Sequence, residues 1–291
     1  MRYYVIVYIF VNRTIQNAMI DYAAKNEQIL DEWYAASQRN EEDKEKAFVY
    51  DGLLRRGDIY YEDKIWKRES AKESESWNNS FPRIMLITKD YNDKDKHEPG
   101  DKIDLRDETL RQNDTGEDDV RTSPLPFHRN MMYHVFGIGK YKDGHCTNWG
   151  KLDPDKCRRY YERCPLVRIN VKKQAGGGKV PDSTIRKYIE RYKRYLNQQI
   201  LLFDADIIVC YGRVIFNYVI QEFFPDIEIS EEDPWVYFSS EKQKVIINSY
   251  HPSVRHTTIT DEQFYTRPIT EFEQMMHNQP EFAAKYLNHR R

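Results

Sequence analysis

Apolar residues cluster in four short runs, each with the length typical of a strand buried on both faces. The runs cover residues 83–88, 166–169, 207–211 and 244–248. Between the second and third runs, a longer segment starts after Pro181 and repeats its apolar side chains at helical spacing. These side chains are Ile185, Ile189, Tyr192, Leu196 and Ile200. Strand, crossover helix and strand form the unit of a parallel sheet, so the pattern predicts an α/β fold.

The segments on either side of these runs have different patterns. Residues 1–50 look helical, with apolar residues recurring at near-helical spacing after Asn12. Residues 1–80 are predicted to be an N-terminal helical extension packed on the core. Asp51 and Gly52 form a dipeptide typical of a turn. Residues 81–256 are the predicted α/β core, and the hydrophilic residues 93–120 are predicted to be a polar insertion within it. Residues 257–291 predict a C-terminal helical tail.

The formal net charge of -2 gives no overall signal, but the charges are unevenly distributed. Residues 151–200 hold 14 Lys and Arg against 5 Asp and Glu, whereas residues 88–120 hold 6 against 12. A basic crossover favours a local site for a polyanion. The alternative interpretation is that these charges belong to a solvated helix face.

The cysteine pattern predicts neither a metal site nor a disulfide framework. The four cysteines, Cys146, Cys157, Cys164 and Cys210, contain no C-x-x-C pair, and Cys210 lies inside an apolar run where a small hydrophobic residue fits. The apolar run at residues 3–11 is too short to span a bilayer. We therefore expect a cytoplasmic monomer that needs no cofactor or metal and does not bind membranes.

Polar residues follow each of the four strand runs. Asp90 comes after the first run, Asn170 after the second, Gly212 and Arg213 after the third, and His251 after the fourth. The carboxyl ends of parallel strands are where ligands bind, so a carboxylate, an amide and an imidazole would converge at one edge of the sheet. Taken singly, these residues have simpler interpretations, as a helix cap, a turn residue and a hydrogen-bonded loop histidine.

At these positions the chain resembles the uracil-DNA glycosylase superfamily, over roughly residues 84–255. The resemblance rests on the segments 86–92, 169–173 and 251–253, the last reading His-Pro-Ser, and on the helix and strand between them. The chain departs from the family at Thr88, where glycine is common, and it has no proline after Asp90. The resemblance implies a three-layer α/β/α sandwich around a four-stranded parallel sheet. It also implies a monofunctional DNA glycosylase that flips a base out of the DNA and leaves an abasic site.

The resemblance also implies roles for individual residues. Asp90 would orient water and stabilise positive charge on the sugar, and His251 would donate to the departing base. Asn170 would read the base edge with its adjacent donor and acceptor, and Tyr91 and Asn92 are further expected base contacts. The expected DNA contacts are Lys172, Lys173, Lys179, Ser253 and Arg255, the last as a wedge in the duplex.

The sequence leaves the substrate open. The amide of Asn170 matches uracil or cytosine equally well when it is turned over. The altered segment 88–92 and the insertion behind it favour a pocket open at the 5-position of the base. A 5-modified cytosine of phage DNA, in antiviral defence, therefore stands beside uracil, in base-excision repair. Two other functions remain: a non-catalytic nucleic-acid-binding relative, and a hydrolase of free nucleotides or nucleosides.

Overall fold

A computed structural model describes residues 20–57, 59–68, 72–92, 97–107, 126–177, 179–230, 232–254 and 259–288, and one six-stranded sheet lies at its centre. From edge to edge its strands are β2 (Gly52–Leu53), β7 (Leu166–Asn170), β5 (Ile84–Thr88), β8 (Ile207–Tyr211), β10 (Lys244–Ser249) and β9 (Val236–Ser239). The inner four strands are parallel and are the four predicted runs. The α/β class and the mostly parallel sheet are confirmed. The predicted count of four strands is wrong, because two short antiparallel strands extend the edges.

Two smaller sheets lie outside the central one. β1 (Phe48–Tyr50) pairs in parallel with β6 (Lys102–Asp104), and β3 (Ile59–Glu62) pairs antiparallel with β4 (Ile65–Arg68). The N-terminal segment therefore contains strands as well as helices. The predicted polar insertion contributes β6, and its residues 93–96 and 108–120 lie outside the described residues.

Eight α-helices are present in the described ranges. They are α1 (Tyr22–Ser37), α2 (Glu73–Asn78), α3 (Pro126–Gly139), α4 (Pro154–Arg163), α5 (Asp182–Phe203), α6 (Arg213–Phe223), α7 (Asp261–Asn278) and α8 (Pro280–Asn288). The predicted crossover helix is α5, whose N-cap is Pro181 without a side-chain cap. Asp182 instead accepts a hydrogen bond from Lys89, which follows β5. None of the described helices is long and apolar enough to cross a membrane.

Helices cover both faces of the central sheet because successive strand residues point to opposite sides. Met85 and Ile87 pack with residues of α1, α5 and α6, while Ile84 and Leu86 pack with residues of α3, α4, α7 and α8. With both faces covered, the ends of the inner strands are the places where polar side chains can gather.

Candidate active site

The carboxyl ends of the four inner strands lie side by side. Thr88 pairs with Asn170 across β5 and β7, and Ser249 pairs with Tyr211 across β10 and β8. Gly212, just past β8, donates its backbone N–H to the carbonyl of Ser249 at 2.8 Å. Asp90 follows the end of β5 by two residues, and His251 follows the end of β10 by two. The two predicted catalytic residues thus extend from aligned strand ends.

The Asp90 carboxylate is largely removed from solvent, with its side chain 12% exposed. Its Oδ2 atom is buried and accepts no hydrogen bond. The Lys172 Nζ lies 3.7 Å from this oxygen, close enough for an ion pair but too far for a hydrogen bond. Burial raises the pKa of Asp90, and the positive charges of Lys172 and Lys89 oppose that increase. A buried carboxylate oxygen without a donor, placed just past the end of a parallel strand, marks a candidate site.

Lys172 is an interior residue, with a side chain only 6% exposed. Its Nζ donates to the carbonyl of Gln174 and lies 5.4 Å from the centre of the Tyr188 ring. Burial lowers the pKa of Lys172, while the nearby Asp90 charge acts in the opposite direction. The predicted phosphate contact is therefore corrected: the ammonium faces Asp90, not the outer surface.

Gly176 forms one side of this pair. Its N–H donates to the carbonyl of Tyr91 at 3.1 Å, and it forms a bridge with Asn92. A β-carbon added at Gly176 would lie 3.0 Å from Lys172 Nζ and 3.7 Å from Asp90 Oδ2. Of the two predicted base contacts here, Asn92 is exposed, whereas the half-buried Tyr91 packs beside a small apolar cluster.

His251 is partly buried, and its ring lies 5.7 Å from that of Phe127. The backbone N–H of Ser253 donates to Nδ1 at 3.2 Å. Burial, together with the charge of Lys89, lowers the pKa of His251 to about 4. The imidazole is therefore neutral at pH 7, and because Nδ1 accepts, its proton is assigned to Nε2. The predicted contact Ser253 thus orients His251 through its backbone, while its own side chain is exposed.

Asn170 lies in a buried hydrogen-bond network and is 2% exposed. Its Oδ1 accepts from the Thr88 hydroxyl at 2.8 Å, and its Nδ2 donates to Asp51 Oδ2 at 3.0 Å. The Asp51 carboxylate only accepts, so turning the amide over would replace its bond to Asp51 with a contact between two oxygens, whereas the Thr88 hydroxyl can either donate or accept. The freely reversible amide expected from the sequence is therefore corrected to an amide with one fixed direction.

Lys173 belongs to the same interior network and is completely buried. Its Nζ bonds to Asp51 Oδ1 and to Gln199 Oε1, and burial lowers its pKa against the opposing effect of Asp51. The prediction that Lys173 contacts DNA is contradicted by this burial. Lys179, by contrast, is exposed, and its contact with DNA stays a prediction; Arg255 lies outside the described residues.

Asp51 and Lys89 are site residues that sequence reasoning did not identify. Asp51 precedes β2, whose two residues have no visible strand pattern, and Asp51 with Gly52 resembles a surface turn. Lys89 adjoins Asp90, and its Cε would lie 3.3 Å from a β-carbon added at Gly212. The Lys89 side chain, which follows β5, therefore lies close to the backbone just past β8. In the sequence, the position of Lys89 directly before Asp90 could have identified it as a site residue.

The arrangement offers a carboxylate acceptor, an amine and a neutral imidazole donor at one edge of the sheet. Within the described residues, no group of three or more His, Cys, Asp or Glu side chains is placed to hold a metal ion. Among the proteins compared, no family model matches this chain, and no curated sequence matches it significantly. The chemistry of these side chains is therefore the basis for inferring a function.

Proposed function

We propose that this protein is a DNA glycosylase that hydrolyses the N-glycosidic bond of a flipped pyrimidine-type base and leaves an abasic site. The observation that carries the proposal is the buried, unbonded Oδ2 of Asp90 at the carboxyl edge of a parallel sheet. An acceptor of this kind can bind and orient a water molecule for attack on the sugar. The resemblance to the uracil-DNA glycosylase superfamily supports the same reaction.

Cleavage of the glycosidic bond develops positive charge on the sugar and negative charge on the leaving base. The Asp90 carboxylate stabilises the sugar cation, and the neighbouring Lys172 ammonium favours the ionised form of Asp90. His251 is neutral, and its Nε2–H group donates a hydrogen bond that stabilises negative charge on the base. The two ends of the breaking bond thus meet groups of complementary character.

The proposed substrates are uracil and a 5-modified cytosine such as those in phage DNA, which correspond to base-excision repair and antiviral defence. The Thr88 hydroxyl is buried and bonds to Asn170, where the family commonly has glycine. The bond from Asn170 Nδ2 to Asp51 gives the amide a fixed direction. Together with the Thr88 hydroxyl, it supports a base-recognition surface different from that of a typical uracil enzyme.

The test is base release from duplexes containing uracil and from phage DNA with bulky cytosine modifications, with abasic sites detected by alkaline cleavage. Asp90→Asn should lower the release rate about 100-fold or more while DNA binding is retained. The matched control is Asp143→Asn, which removes an exposed carboxylate whose neighbour is Lys142. Full activity of Asp90→Asn would refute the assignment.

Two results would point to a different function. DNA binding without release of any base would favour a non-catalytic binding protein. Cleavage of free nucleotides without salt-sensitive DNA binding would favour a nucleotide hydrolase, because contacts with several phosphates make affinity strongly dependent on salt.

A further inference from the structure

One face of helix α3 is turned toward the carboxyl edge of the sheet. Phe127, Asn130 and His134 lie on this face, because residues three and four positions apart are neighbours along a helix. The first two contact the segment that follows β10, and the third contacts the end of β8. A single rigid element therefore touches two of the strand ends that form the candidate site.

Asn130 makes the most direct of these contacts. Its side chain is buried, and its Nδ2 donates to the carbonyl of Pro252 at 2.7 Å. The next backbone N–H, that of Ser253, donates to Nδ1 of His251 at 3.2 Å. The carbonyl that Asn130 binds and the N–H that His251 accepts therefore belong to the same peptide group.

The two bonds engage opposite ends of this peptide group. Because a peptide bond is planar and almost always trans, its C=O and N–H point in opposite directions and turn together. Fixing the carbonyl of Pro252 thus fixes the direction in which the Ser253 N–H donates. Donation to the carbonyl also polarises the peptide group and strengthens the bond made by its N–H. Asn130 therefore acts on the imidazole of His251 through one intervening group.

The helix that carries Asn130 is itself held in place by buried contacts. His134 bonds through Nε2 to the carbonyl of Phe264 at 2.9 Å and through Nδ1 to the hydroxyl of Tyr211 at 3.2 Å. Arg129 forms an ion pair with the first residue of α7 at 2.5 Å. Asn130 thus donates from a rigid support, as a group that orients another must.

The proton on His251 has two possible positions. Burial and the positive charge of Lys89 lower the pKa of His251, so the imidazole is neutral at pH 7 and carries one N–H. The bond made by one ring nitrogen determines which nitrogen holds that proton. Because the Ser253 N–H occupies Nδ1, the proton lies on Nε2. The ring of Phe127, 5.7 Å away, covers the same imidazole.

We propose that Asn130 is a positioning residue that sets the tautomer and orientation of His251 by holding the peptide group between Pro252 and Ser253. The inference rests on the proposed function, in which the Nε2–H group of His251 donates to the departing base. It adds to that function a residue from α3, a segment that contains none of the motifs on which the family resemblance rests.

Nitrogen-15 NMR measures the tautomer of His251 without DNA, because the two ring nitrogens have different shifts as donor and as acceptor. The signal that disappears in His251→Gln identifies the residue. In the wild type at pH 7, Nε2 should be protonated and Nδ1 should accept. Asn130→Ala should lower the ratio of this tautomer to the other by about 2–10-fold, the worth of one intramolecular hydrogen bond.

A second variant addresses the folding of the first. Asn130→Leu has a similar shape and favours a helix, but it has no donor, so it should lower the tautomer ratio as Asn130→Ala does. A wild-type ratio in either variant, once folded, would overturn the proposal.

Val135→Ala is the matched control. Val135 is fully buried in the same helix and lies on a different face from Asn130. Loss of its methyl groups should destabilise α3 while the tautomer ratio and base release match the wild type. An equal change in this control would overturn the proposal, because it would show that any loosening of α3 has the same effect.

Base release gives the second measurement. Asn130→Ala should lower kcat about 10–100-fold, because a small displacement of a reacting group is that costly, and it should leave KM almost unchanged. A wild-type kcat, or a loss confined to KM, would overturn the positioning role. If the wild type releases no base, the proposed function fails, and the NMR measurement still decides whether Asn130 orients His251.

Discussion

Removing the ammonium of Lys173 should destabilise the fold strongly without a direct effect on DNA contacts. Lys173 is fully buried, and its Nζ lies 2.5 Å from Asp51 Oδ1 and 2.9 Å from Gln199 Oε1. Lys173→Met would leave the Asp51 carboxylate in the interior without a counter-charge. Gln199 Oε1 would lose its donor at the same time.

Breaking a buried ion pair by removing one partner costs about 3–5 kcal/mol. Asp51 would retain neutral donors from Asn170 and Gln199, so the loss is not the full cost of an isolated charge. The unsatisfied Gln199 oxygen adds a penalty of about 1–3 kcal/mol when no water replaces the donor. The donors that Asp51 retains and the penalty at Gln199 act in opposite directions, so we expect the free energy of unfolding to fall by about 3–5 kcal/mol.

Urea denaturation measures this change, with exposed Lys179→Met as the matched control. The control should remain within about 0.5 kcal/mol of the wild type. The double variant Lys173→Met with Asp51→Asn removes both charges and should lose less stability than the two single variants together, by about 0.5–3 kcal/mol. A Lys173→Met protein as stable as the control, with a DNA-binding salt slope lowered by about one, would refute the burial argument and restore the phosphate contact.

Two further predictions concern the fold. Gly52→Ala should destabilise the protein by about 1–3 kcal/mol, because Gly52 has a φ of 114° and an added β-carbon would lie 2.7 Å from the Asn26 side chain. Gly150→Ala, with open space around residue 150, is the control. Equal denaturation midpoints for the two variants would contradict this expectation. Stability should also fall as the pH drops from about 6.5 to about 4. Burial lowers the pKa of His134 to about 4, so in this window the imidazole of residue 134 is protonated in the unfolded chain but not in the folded one. The resulting loss of stability is about 3 kcal/mol. His251, whose pKa is also lowered to about 4, contributes in the same window. His134→Gln should therefore reduce the pH dependence of unfolding without removing it, and an unchanged dependence would show that other groups cause it.

The inner strands and their common edge could be predicted from the sequence because each is a continuous apolar run, as at Ile207–Tyr211. The edge strands could not. β2 has two residues, and β9 alternates buried and half-buried positions over only four. Gly52 belongs to the sheet with a positive φ, a conformation that glycine adopts equally well in a surface turn.

The roles of the lysines could not be predicted from their spacing. Lys172, Lys173 and Lys179 form one basic segment in the sequence, yet only Lys179 is exposed. The difference depends on Asp51 and Asp90, which precede these lysines by many residues and meet them only in the folded chain. A run of charged residues in the sequence predicts a solvent-exposed surface. Ion pairs with residues distant in the sequence reverse that prediction for Lys172 and Lys173.

The strand order has a consequence for the sequence of events during protein synthesis. β5 is made first among the inner strands, β7 and β8 then add to its two sides, and β10 joins last beside β8. The sheet can therefore grow outward on a nascent chain without displacing a strand already in place. His251 follows the last of these strands, so the imidazole joins the edge only after all four inner strands have been synthesised. Asp51 and Asn170 are 119 residues apart in the sequence and meet only in the folded interior. Because contacts between residues so far apart slow folding, we expect the interior to form slowly.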